Sequence, residues 1–70
     1  MKKLTLKQAK DIRRMRVDDG YSWRAIAHEC YDKGYLGGDW YPKSNQLMGM
    51  SLCEMASKFF NENYMEEPWN

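Results

Sequence analysis

The chain has 70 residues, of which 43% are hydrophobic and 30% charged, the usage of an ordinary folding domain rather than of a disordered segment. So short a chain hides only about 60% of its unfolded surface, enough for one core, which excludes a multidomain enzyme. The formal net charge is +1, yet residues 1–16 carry seven basic side chains against Asp11 alone, a local +6, while the rest carries four against nine acids, a local −5.

A basic end joined to an acidic body can hold a polyanion at one surface and repel it from the other. The same asymmetry also fits a basic helix that pairs with its own acidic remainder. No apolar run approaches the roughly 18 to 20 residues of a membrane span, and the basic start is not followed by a secretory apolar stretch. A cytoplasmic location is therefore expected.

Thr5 and Gln8, three apart, announce a first helix over Leu6–Val17 through a capping-box pair. Ala9, Ile12 and Met15 repeat at helical spacing toward the core, which turns Lys7, Lys10 and Arg14 outward together. Asp18, Asp19 and Gly20 end the helix. Ser22 then caps a second helix over Trp23–Tyr31, with Trp23, Ile26, Ala27 and Cys30 on its inner face and Arg24, His28 and Glu29 outside.

From Asp32 to Lys43 the helical period is lost, and Gly34, Gly37, Gly38 and Pro42 punctuate a loop that also holds Tyr35, Leu36, Trp40 and Tyr41. This aromatic loop is either a lid on the core or a contact surface. A third helix is expected from Ser44 to Phe60, its apolar face including Leu52, Cys53, Ala56 and Phe59. Trp23, Ile26, Leu52, Ala56 and Phe59 are the expected core. Leu47 and Met50 fall on the side where solvent is expected. Gly49 costs about 1 kcal/mol relative to Ala inside a helix, which close approach of another backbone explains.

Residues 61–70 form an acidic, aromatic tail after the domain of residues 1–60. Tyr64 and Trp69 either pack on that domain or dock a partner. The expected fold class is all-α, a small three-helix domain, because no segment shows the period-2 alternation of a half-buried strand.

Catalytic chemistry finds no support in the residue pattern: there is no phosphate-binding Gly loop, no HExxH, and no nucleophile with a base and an orienting acid. Cys30 and Cys53 are too few for a disulfide framework, and His28 with Cys30 lacks the repeated pair spacing of a zinc site. Buried thiols are the favoured reading, with a single disulfide and a metal role as alternatives. No enzyme activity, cofactor, metal or small-molecule substrate is expected.

Residues 5–31, a capped helix, the turn Asp18-Asp19-Gly20-Tyr21 and the segment Ser22-Trp23-Arg24-Ala25-Ile26-Ala27, resemble the first two helices of a helix-turn-helix domain of the resolvase or homeodomain-like type. The resemblance implies that the third helix enters the DNA major groove. Its start, at Lys43, Ser44, Asn45 and Gln46, would then lie nearest the bases, Asn and Gln being able to bond adenine bidentately. The sequence departs from that family where Asp32–Lys43 replaces a short turn.

Two functions follow as expectations. The first is a small DNA-binding protein, such as a phage or bacterial accessory transcription regulator, with Lys2, Lys3, Lys7, Lys10, Arg13 and Arg14 on phosphates and Arg24, Asn45 and Gln46 nearest bases. Self-association or a partner is then implied, because one such domain makes few contacts. The second is a protein-interaction module, an adaptor or inhibitor, docking through Trp40, Leu47, Met50, Tyr64 and Trp69.

Overall fold

A computed structural model describes residues 3–37, 45–67 and 69. Helix α1 (Leu6–Val17) begins at the capping box, in which the Thr5 N–H donates to Gln8 Oε1 and the Gln8 N–H to Thr5 Oγ1, both at 3.1 Å. It ends where Gly20, with φ of 69°, turns the chain so that the Tyr21 N–H donates to the Met15 carbonyl at 2.9 Å. Glycine enters that left-handed conformation without the clash a Cβ brings.

Helix α2 (Trp23–Asp32) starts on Ser22, whose Oγ accepts from the Ala25 N–H at 3.1 Å. The loop that follows is not a solvated tip over its described part. A 3-10 turn over Tyr35–Gly37 drives Leu36 into the core, 7% exposed, although this puts a branched side chain at a φ of 58°. Such a backbone costs about 1 kcal/mol, which burial of the leucine offsets. Trp40, Tyr41, Pro42, Lys43 and Ser44 lie outside the described residues.

Helix α3 (Gln46–Ser57) is capped by Asn45, whose Oδ1 accepts from the N–H groups of Leu47 at 2.7 Å and Met48 at 3.3 Å. The expected α-helix to Phe60 stops three residues earlier and tightens into a 3-10 turn over Lys58–Phe60. Asn61, in the left-handed conformation at φ of 52°, then reverses the chain. Asn tolerates that conformation better than most residues.

Ile12 and Met15 of α1, Ile26 and Cys30 of α2, and Leu52, Cys53 and Ala56 of α3 meet in one core at 1% exposure or less. Leu4, Leu36 and Trp69 close it from outside the helices. Phe59 was expected among them and is instead 46% exposed. The buried arc of α3 runs through Gly49, Leu52, Cys53, Ala56 and Ser57 and ends with the helix, before Phe59 in the 3-10 turn. Trp23 is half-buried, edge-on to Tyr64 with ring centroids 6.0 Å apart.

The described residues contain helices and turns and no strand. None of their helices is long and apolar enough to cross a membrane.

Candidate nucleic-acid interface

The helical step of α1 sets Lys7, Lys10 and Arg14 opposite the core residues Ala9, Ile12 and Met15, with Asp11 at one margin of the core face and Arg13 at the other. Each margin is tied to a different part of the chain.

On the Asp11 side, the carboxylate accepts from Arg14 at 2.6 Å, Lys33 Nζ at 2.7 Å and the Tyr35 hydroxyl at 2.6 Å. These contacts pin the segment after α2 to α1. Partial burial pulls the Asp11 pKa up, but the bonds from Lys33, Tyr35 and Arg14 outweigh it and bring it to about 2. Burial and the bond to Asp11 push the Tyr35 phenol above its ordinary range.

On the other side, Arg13 grips Glu62 with two parallel bonds, Nε to Oε2 at 2.9 Å and the second nitrogen to Oε1 at 3.1 Å. The Trp69 indole N–H donates to the same carboxylate. Arg13 also lies over the rings of Phe60 and Trp69, at 5.8 and 5.9 Å. Arg16 donates to the carbonyls of Trp69 at 2.9 Å and Tyr21 at 2.6 Å, and its guanidinium stacks 3.7 Å from the Trp23 ring centroid. The bond from Arg13, joined by that from Trp69, holds the Glu62 pKa below its ordinary value.

Two of the side chains expected on phosphates are paired within the chain. Arg13 is committed to Glu62, and Arg14 is divided between Asp11 and Asp19. Lys3, Lys7 and Lys10 are exposed and, among the described residues, enter no ion pair. Lys2 lies outside the described residues.

The residues expected nearest the bases differ in their surroundings. Arg24 is exposed beside an open concavity of about 450 Å³ that Tyr21, Ser22, Ala25, His28 and Glu29 also line. Gln46 is exposed on the first turn of α3. Asn45 is half-buried with its Oδ1 spent on the cap, so bidentate adenine recognition would uncap α3, at about 1 kcal/mol.

Among the residues expected to dock a partner, Leu47 is 72% exposed, whereas Met50 and Tyr64 are half-buried. Trp69 is fully buried and therefore not available as a docking side chain, because its ring completes the core and its N–H needs Glu62. Trp40 lies outside the described residues.

His28 is exposed, its Nε2 3.2 Å from the Asp32 carboxylate. Cys30 and Cys53 are free and buried, and burial pushes both thiols up to about 12. Such thiols are hydrophobes rather than nucleophiles.

Arg16 and Glu62 were missed in the sequence. The one local hint is that Arg13 and Arg16 stand three apart on one helical margin. Their partners lie 49 and 53 residues away. Comparison with known protein families, curated proteins and solved structures gave no significant match.

Proposed function

We propose that the chain is a small, non-enzymatic, helix-turn-helix-like DNA-binding protein of the accessory-regulator kind. The observation that carries this reading is the pair Lys7 and Lys10, which the core packing of Ala9, Ile12 and Met15 holds in solvent and which no described acid neutralises. Phosphate contacts supply the sequence-independent part of DNA affinity, and lysines on a helix provide them without rearrangement of the backbone.

In this reading Lys3, Lys7 and Lys10 contact the backbone, while Arg24 at the start of α2 and Gln46 on the first turn of α3 are the side chains nearest base edges. So few contacts give weak binding, which implies self-association on the DNA or a protein partner.

A second reading, a protein-docking module, is favoured by Leu47, an aliphatic side chain 72% exposed on the first turn of α3. Titration of a labelled duplex at about 50 mM and about 200 mM salt separates the two. Retention that collapses as salt rises supports the DNA reading. No retention at low salt, together with loss of a specific partner in Leu47→Lys, supports docking.

A further inference from the structure

Glu62 sits on Arg13 in the two-pronged geometry by which arginine also binds phosphate. The pair is about one-third exposed, with side-chain accessibilities of 34% and 32%, so a competing anion reaches it from solvent. Arg13 borders an open groove of about 370 Å³ that Lys10, Arg14, Asp18, Phe60 and Glu62 also line. Lys10 and Arg13 are one helical turn apart on α1. A phosphate held by Lys10 therefore lies within one side-chain length of the guanidinium that Glu62 occupies.

We infer that the C-terminal segment is an autoinhibitory strap in which Glu62 takes the place of a nucleic-acid phosphate on Arg13. The inference rests on the DNA-binding reading and deepens it. The strap is fastened at its far end by Trp69, whose ring is buried, whose carbonyl accepts from Arg16, and whose indole N–H donates to Glu62. Its near end turns at Asn61. Release is thus local: the Glu62 carboxylate leaves Arg13 while still accepting from the Trp69 indole N–H, so Trp69 stays in the core. Until then the strap withholds one phosphate contact from α1.

The test is duplex-DNA affinity against salt for the full chain and four variants. Glu62→Gln keeps an acceptor for the Trp69 N–H but removes the charge that competes with phosphate. It should bind about threefold tighter at about 50 mM salt, with a log–log slope steeper by about one, the increment for one further contact. Glu67→Gln makes the same change of net charge on an exposed residue and should leave the slope unaltered. Arg13→Gln, which leaves the Glu62 carboxylate unpaired in the groove that Lys10 lines, should bind no tighter than the parent and should abolish the gain when combined with Glu62→Gln.

Equal effects of Glu62→Gln and Glu67→Gln, or a gain that survives Arg13→Gln, would overturn the strap while leaving DNA binding through Lys7 and Lys10 standing. A parent chain that binds no DNA ends the function proposed above. The strap then stands only if Glu62→Gln acquires Arg13-dependent binding, and a silent Glu62→Gln overturns both. Should Glu62→Gln lose its helical circular dichroism, Glu62→Asp takes its place, since it shortens the side chain by one methylene and loosens the two-pronged bond to Arg13 without changing net charge. A gain of the same direction is expected from it, and unchanged affinity contradicts the strap.

Discussion

Gly49 of α3 lies directly against the backbone carbonyl of Trp23 at the start of α2: a Cβ built on Gly49 would stand 1.7 Å from the Trp23 oxygen and 2.4 Å from its carbon. Only a residue without a side chain lets the two helices approach so closely, and the first turn of α3 is placed by that contact. Gly49→Ala should gain about 1 kcal/mol of helix propensity and lose more, because backbone rather than a flexible side chain must move. A net destabilisation of about 2 kcal/mol or more is expected in urea denaturation. An unchanged or raised midpoint would show that α2 and α3 do not touch there.

Asp11 gives the fold an acid sensitivity. Its pKa falls from an ordinary 3.8 in the unfolded chain to about 2 in the folded one. The unfolded state therefore binds the proton first as pH drops. The stabilisation is complete above about pH 4 and is lost as pH falls through the interval to about 2, on the order of 1 kcal/mol after solvent screening. Asp11→Asn should be less stable than the parent at pH 7, and the difference should shrink toward pH 2. Parallel stability curves for the two proteins across that interval would contradict the network with Lys33, Tyr35 and Arg14.

The local parts of this architecture were legible in the sequence and the distant pairings were not. Thr5 with Gln8, Ser22 and the Gly20 turn act within a few residues of themselves, so α1 and α2 could be placed from spacing alone. Gly49 was legible as a close approach but not in its partner, because nothing local points to Trp23. Phe59 was misplaced because an apolar face read at helical spacing does not say where its buried centre falls. The Arg13 pairing was not legible because Glu62 is far along the chain, whereas Arg14 has one partner, Asp11, at helical spacing and another, Asp19, in the turn after the helix. Asn45 is expected near a base from its residue type alone, and its role as the α3 cap was not read from the sequence.

The two thiols should be inert while the protein is folded. Cys30 and Cys53 are fully buried, and burial pushes their pKa up to about 12, so very little thiolate exists near neutral pH. Reaction with a thiol-specific disulfide reagent at about pH 8 should follow the unfolding rate and become fast only in denaturant. Rapid modification of either cysteine under native conditions would mean that α2 and α3 separate far more readily than their packing implies.

DNA binding by this chain depends first on the outward lysines of α1. The decisive measurement is the salt dependence of duplex affinity for the parent chain, Lys7→Ala/Lys10→Ala, and Arg14→Ala. Alanine leaves the helix and its apolar face intact, so helical circular dichroism should be unchanged in the double variant. Its affinity should fall for any duplex sequence, and its log–log slope should flatten by about two, one unit for each phosphate contact removed. Arg14→Ala should do less, because Asp11 and Asp19 already hold that guanidinium. A folded double variant with the parent's affinity and slope would contradict DNA binding through α1 and leave Leu47 on α3 as the surface to pursue.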